Sequence, residues 1–235
     1  MFELKDRVGD IVTKFPGAAE IFQANKIDYC CGGNRSLRLA IEEDSQSENI
    51  EIDSEKLIKE LNKSYEDEKY HYDNLADPGE LSKIELIDYI IANHHQYLRE
   101  NLPRIDQLTR KIFQAHYQSH KELLAEIHQL FNSLKGELEA HLIKEEEEVF
   151  PLIIEEVKTQ NNNSEISQER FDGIAELEDE HDAAGDIFKR LRRLTNDYAL
   201  PGDTCNSFEL TYQLLKDLEA NTFQHIHLEN NILFK

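Results

Sequence analysis

The stretch His141-Leu142-Ile143-Lys144-Glu145 has an echo near the end of the chain, His225-Ile226-His227-Leu228-Glu229. Each places a histidine and a glutamate four residues apart. On an α-helix, positions i and i+4 lie on one face, one turn apart. An imidazole and a carboxylate so placed can hold one metal ion, or the carboxylate can bridge two. One such pair is a weak signal. Two pairs inside apolar stripes, on a chain with more histidines at matching positions, make a strong one.

The stripes around these pairs set the fold. Upstream of His141, Ile127, Phe131, Leu134 and Leu138 recur at helical spacing, and beyond Glu145 the same count reaches Leu152. This helix is expected to start near Ser119, with Glu122 three residues on. An earlier helix starts at Ser82, with Glu85 completing a capping box. It runs through Ile87, Ile91, His94, His95, Leu98 and Leu102, with Pro103 placed to kink it. A third carries Ile174, Leu177, His181, Ala184, Phe188 and Leu191. The last opens at Asn206 with Glu209, and its stripe is Phe208, Leu215, Leu218, Thr222, His225, Glu229 and Ile232. Polar loops, notably 159–164 and 200–204, separate them. The expected fold is all-α, an antiparallel four-helix bundle over 81–235.

In three of these helices a polar residue stands where the stripe calls for an apolar one: His141 with Glu145, His181, and His225 with Glu229. The first helix offers His94 or His95, and the heptad count leans to His94. The intervals are nearly even, at forty-odd residues, so the set should converge at one depth of the bundle. A single core histidine usually finds a protein hydrogen-bond partner. Several imidazoles and two carboxylates without partners would cost several kcal/mol, and a bound cation removes that cost. Four imidazoles and two carboxylates exceed what one zinc takes. They suit a dinuclear site with both glutamates bridging, and ligands without thiolate favour iron or manganese. The Glu-x-x-His pairing of ferritin-like di-iron bundles appears only as Glu178-x-x-His181, so that type is set aside. Glu146, Glu147 and Glu148 read as a solvated face. His227 lies off the stripe and is expected to be exposed. His71, His120 and His128 have no usable spacing.

The formal net charge of -22 argues against nucleic acid or anionic membrane as partners and is compatible with handling cations. No apolar run is long enough for a membrane span. The amino terminus, Met1 to Arg7, lacks the apolar core of a signal peptide. Three cysteines, two of them adjacent, make no disulfide framework. A cytoplasmic, reducing compartment is the expectation.

Residues 1–43 read as a small unit of short helices. Val8, Ile11, Val12 and Phe15 form one apolar set, and Pro16 fits the start of a helix carrying Ala18, Ala19, Ile21 and Phe22. Gly32-Gly33-Asn34 breaks the pattern and leaves Cys30 and Cys31 at a turn. There they are expected to be exposed and redox-active or metal-contacting. Ser36 can cap a short helix from Leu37 to Glu42. Residues 44–80 read as an acidic linker, with a helical stretch over 54–65 carrying Leu57, Ile58 and Leu61, and a turn at 73–79. Cys205 lies in the loop before the last helix and receives no role.

His141-Leu-Ile-Lys-Glu145-Glu-x-x-x-Phe150-Pro151, Glu180-His181-Asp182-x-Ala184-Gly185 and His225-x-x-Leu228-Glu229-Asn230-Asn231-x-Leu233-Phe234 resemble haemerythrin-type motifs. Asp28-Tyr29-Cys30-Cys31-Gly32-Gly33 resembles the small domain that precedes such a bundle in the repair-of-iron-centres di-iron proteins. Together the two matches span nearly the whole chain. The resemblance implies a haemerythrin-like four-helix bundle behind a short helical amino-terminal domain. It implies two non-haem iron ions per chain, oxo- and carboxylate-bridged, held by His95, His141, His181, His225, Glu145 and Glu229. The His94-His95-x-Tyr97-Leu98-Arg99-Glu100-x-Leu102-Pro103 match selects His95 over His94. Glu137, Glu180 and His116 match family positions near the metals or on an iron path. Cys30 and Cys31 take a redox or iron-relay role. The implied function is repair of iron–sulfur clusters damaged by nitrosative or oxidative stress, acting as an iron donor more than as a classical enzyme. Its partners would be iron–sulfur client proteins, and homodimerisation is left open. Oxygen-carrying haemerythrins have a further histidine where this chain has Gly185, and they end in His-x4-Asp where it has His-x3-Glu. One imidazole fewer leaves a more open site. The rival functions are an O2- or NO-binding sensor or store, and a di-iron reductase of NO or peroxide.

Overall fold

The computed structural model describes residues 1–72, 78–159, 164–202 and 204–235, with side chains at 1–67, 78–159, 168–202 and 204–235. Among these residues the regular elements are helical, apart from a single antiparallel bridge between Arg7 and Ser36. No described helix is long and apolar enough to cross a membrane. The chain divides into two compact units, one of residues 1–86 with 223–235 and one of residues 87–222.

The first unit begins with α1 (Val8–Lys14), α2 (Ala18–Ala24), α3 (Leu37–Glu48) and α4 (Ser54–Tyr72). Ser36 caps α3 by accepting the Leu39 amide, and Asn49 ends it in the left-handed conformation, as short polar residues can. Val8, Phe15, Phe22, Leu37, Leu57 and Leu61 are almost fully buried in one apolar cluster. Two of these six lie in the stretch read as a linker. That reading is corrected: α3 runs six residues past its expected end, α4 reaches Tyr72, and Leu57, Leu61 and Tyr65 complete the core. Acidic composition hid this because most of the described acids, though not the buried Asp44, lie on the outer face while leucines at helical spacing turn inward. Asn62 of α4 also clamps the amino terminus, accepting the Phe2 amide at 2.6 Å and donating to the Phe2 carbonyl at 3.0 Å. The expected turn at 73–79 falls mainly outside the described residues.

The capping box at the start of α5 (Lys83–Ile90) is present: the Ser82 amide meets Glu85 at 2.9 Å, and the Glu85 amide meets the Ser82 hydroxyl at 3.3 Å. In the second unit, α6 (Gln96–Ala115), α7 (Tyr117–Lys144), α8 (Phe150–Thr159), α9 (Ser164–Thr195) and the first part of α10 (Asn206–Leu228) form the bundle. Short connections set neighbouring helices antiparallel. Leu98, Leu102, Ile105, Phe131, Leu134, Leu177, Phe188 and Leu215 are fully buried. The α6 helix continues through Pro103, and α7 is broken near its start by the non-helical backbone of His120.

Three wide turns interrupt the helices, at Ile91–His95, Glu145–Val149 and Glu229–Leu233. Each closes through an i→i+5 bond: Gln96 to Ile91, Phe150 to Glu145, Phe234 to Glu229. Such π-turns hold one residue more than an α-turn and recur at functional sites. The extra residue moves the inward face by one position. Ile153 is therefore buried rather than Leu152, and Leu233 rather than Ile232.

Candidate metal centre

In the second unit, His95 ends the first π-turn and Glu145 begins the next. The Glu145 carboxylate is fully buried, and its two oxygens face different imidazoles. Oε2 lies 3.2 Å from His95 Nε2, and Oε1 lies 3.0 Å from His141 Nε2. His181 of α9 brings its own Nε2 to 3.0 Å from that of His141. One ligand atom each from His141, Glu145 and His181 lie within 4.8 Å of one another.

The outer nitrogens fix the character of the inner ones. His95 Nδ1 is 2.6 Å from Glu146 Oε1, and His141 Nδ1 is 2.7 Å from Glu180 Oε2. A carboxylate only accepts, so each Nδ1 carries a proton, and a cation bound inside would take the lone pair of each Nε2. These outer carboxylates orient metal-binding histidines in the way such sites require. Arg99 holds Glu146 through both oxygens at 2.9 Å, and Lys144 holds Glu180 at 2.9 Å. Burial pushes the Glu146 carboxyl up, but Arg99 and His95 outweigh it and hold it below the usual range. The hydrogen bond from His141, with help from Lys144, lowers Glu180 to about 2. The inner face therefore collects several electron-pair donors with their protons directed outward. Such a donor set is stabilised by a cation. Its nitrogen and oxygen composition fits iron or manganese.

His94 is also buried, but its ring packs against Tyr89, 6.1 Å between centroids. The geometry therefore puts His95, not the heptad-favoured His94, beside Glu145. One turn beyond His181, Gly185 is buried, and a Cβ built there would meet nothing within 4 Å. The side of the site that a further imidazole would fill is open.

In the first unit, His225 and Glu229 are both fully buried, with Nε2 3.1 Å from Oε1. His227 is buried as well, correcting the expectation that it is exposed. Its Nε2 is 3.3 Å from Thr13 Oγ1, and burial depresses its pKa to about 4. In the same unit, the Asp28 Oδ1 accepts the amides of Cys30 and Cys31, both at 3.1 Å, and the Cys30 thiol at 3.3 Å. The two sulfurs are 3.9 Å apart. Cys30 is buried rather than exposed, and Cys31 is partly buried. Donation from the Cys30 thiol to Cys31, burial and the Asp28 charge all raise the Cys30 thiol, so it stays protonated. Arg35 secures this turn, bonding the Asp28 carbonyl at 3.2 Å and Asp44 at 2.9 and 3.0 Å.

Two positions inferred from the resemblance lie elsewhere. Glu137 is exposed and accepts from Ser133. His116 stands past the far end of α6, about 30 Å along the helix from His95 at 1.5 Å per residue. Its Nε2 is 3.3 Å from the Sγ of Cys205, beside the rings of His120 and Phe208. As placed, neither the His116 nor the Glu137 side chain lies at the inner face. Sequence spacing missed Glu146, Lys144 and Arg99. The first two read as helix-surface charges until their partners on neighbouring helices are known. The contact with His116, reinforced by amides at the start of α10, lowers the Cys205 thiol to about 7. Its thiolate is the reactive form. Iodoacetamide labelling of Cys205 is therefore expected to reach half its maximal rate near pH 7. His116→Ala should move that midpoint upward, and an unmoved midpoint would remove His116 as the cause.

Two family models match the chain. Residues 86–235 match the Hemerythrin HHE cation binding domain, and residues 4–65 match a Domain of Unknown function (DUF542), the ScdA amino-terminal domain. A protein named iron-sulfur cluster repair protein ScdA from Staphylococcus epidermidis is 33% identical, over 100% of this chain and 99% of its own. A probable iron-sulfur cluster repair protein from Haemophilus influenzae is 32% identical, over 98% of this chain and 95% of its own. The YtfE repair protein of Escherichia coli is 28% identical, over 97% and 94%. The chain thus carries a haemerythrin-type cation-binding bundle, and it belongs to the ScdA/YtfE family of iron–sulfur cluster repair proteins.

Proposed function

We propose that this protein binds two iron ions and supplies iron for rebuilding iron–sulfur clusters damaged by nitric oxide or peroxide. The ligands are His95, His141, His181, His225, Glu145 and Glu229, with the two glutamates bridging. The observation that carries this reading is the Glu145 carboxylate, buried with one oxygen toward His95 and the other toward His141. A single-metal site would not need that spread. Bound there, a bridged iron pair supplies redox-active and exchangeable metal.

The chain's own residues tune retention. Glu146 and Glu180 keep the His95 and His141 protons on Nδ1, so their Nε2 atoms are ready to bind without deprotonation. Gly185 leaves one side open, which favours ligand entry and metal exit over tight enclosure. Relatives carry the repair function in their names. The client supplies its own cluster ligands, and iron is the cargo.

The test uses full-length protein purified without oxygen. About two irons per chain are expected, as a carboxylate-bridged pair requires, with transfer to an apo-cluster acceptor under reducing conditions. Iron that stays bound in the presence of the acceptor would reject the donor role. The opening at Gly185 also admits a diatomic or peroxide, and turnover with an electron donor would mark that second reading.

A further inference from the structure

The first unit contains both the Cys30–Cys31 turn and the His225–Glu229 pair, and Asn231 joins them. On α10, His225 and Glu229 share one face. Phe223, Ile226 and His227 point to the other, where they meet the amino-terminal core: Tyr29 packs on Phe223 and His227, with centroids 6.3 and 6.2 Å apart. Asn231 sits inside the π-turn that opens with Glu229. Its Nδ2 donates to the Cys30 carbonyl at 2.9 Å and lies 3.3 Å from His227 Nδ1.

The fit around this carboxamide is close. A Cβ added at Gly9 would stand 2.6 Å from Asn231 Oδ1, and one at Gly33 would stand 2.5 Å from it. The two glycines are themselves bonded, Gly9 amide to Gly33 carbonyl at 2.8 Å. Any side chain at either position would expel the carboxamide. Asn231 therefore ties the backbone of the dithiol turn to a turn whose first residue is a proposed iron bridge. A π-turn and a glycine-flanked pocket allow few alternative arrangements, so a shift at one end is carried to the other.

Resting on the di-iron reading, we propose that Asn231 is a positioning residue that couples iron held at His225 and Glu229 to the reactivity of the Cys30–Cys31 dithiol. Iron fixes the turn at Glu229, Asn231 transmits that constraint to the Cys30 carbonyl, and the dithiol becomes less accessible. By linkage, whatever binds the dithiol reversibly changes iron affinity by the same factor by which iron changes its own.

The test is alkylation of Cys30 and Cys31 in the full chain, iron-loaded and metal-free, on a Cys205→Ser background that removes the third thiol. Couplings of this kind run about 5- to 150-fold, so iron should slow wild-type labelling by at least about fivefold. In Asn231→Ala the ratio of metal-free to loaded rates should collapse to about one. Asn231→Asp keeps the shape but cannot donate to the Cys30 carbonyl. It should collapse the ratio too, which covers the case where the alanine variant folds poorly. A purely structural role would speed labelling in both states and leave the ratio alone. Full iron content with a ratio unmoved by either variant overturns the coupling and spares the di-iron reading. Wild-type protein that retains no iron overturns the di-iron reading, and the coupling with it.

Discussion

Glu145→Gln should cut iron content by at least half, and it should be less stable than wild type when iron is supplied but at least as stable when metal is absent. Glutamine keeps the shape of the buried side chain but loses the charge and one accepting oxygen, so it cannot bridge two cations. With both rings neutral and protonated at Nδ1, the buried carboxylate of the metal-free wild type faces imidazole lone pairs at 3.0 and 3.2 Å. The variant's amide can donate to one of these, recovering part of the roughly 1–3 kcal/mol lost when a buried polar group is poorly matched. Metal-free Glu145→Gln should therefore melt at or above metal-free wild type. Loaded wild type should melt well above both: a ligand at a hundred times its Kd contributes about 2.7 kcal/mol. In a domain of this size that is on the order of 5–10 °C. Metal analysis and paired thermal melts provide the check. Two irons retained by the variant would reject Glu145 as a bridge.

The largest stability effect outside the site is expected at Leu61→Ala. Leu61 is fully buried in the core of the first unit, and deleting such a side chain typically costs about 2–5 kcal/mol. Were residues 44–80 only a linker, the same substitution would stay within about 0.5 kcal/mol. Urea unfolding of the full chain, followed by alkylation of the protonated, buried Cys30, separates the two. The variant should expose Cys30 at clearly lower urea. An unchanged midpoint would return α4 to the status of a connector.

The bundle was legible because its stripes are long and strongly periodic, and because His141–Glu145 and His225–Glu229 break them at matching places. Heptad counting failed at three points for one reason. It leaned to His94 over His95, and it put Leu152 and Ile232 inside, where the structure has Ile153 and Leu233. Each miss lies in or just past a π-turn. No residue type marks such a turn, because it is set by the packing of the ligand-bearing faces. The motif match, unlike the count, selected His95 because a motif keeps the extra residue in its spacing. Composition misled at 44–80, where exposed acids outnumber the few leucines that matter, and at Cys30, where a glycine turn suggested exposure. His116 fitted by resemblance alone, and the length of α6 carries it away from the inner face.

The paired residues around His95 and His141 also govern what the centre is left with after its cargo departs. Glu145, Glu146 and Glu180 bring three negative charges, while Arg99 and Lys144 return two positive ones. With neutral imidazoles the cluster nets one negative charge, carried by Glu145 alone. Glu176, also paired with Lys144, is 65% exposed and is screened by solvent. Within the second unit, an empty site thus leaves one unpaired buried carboxylate, Glu145, and not three mutually repelling ones. Under the proposed iron-donor role this property matters, since a bundle that swelled with each delivery would lose the geometry that recaptures the metal.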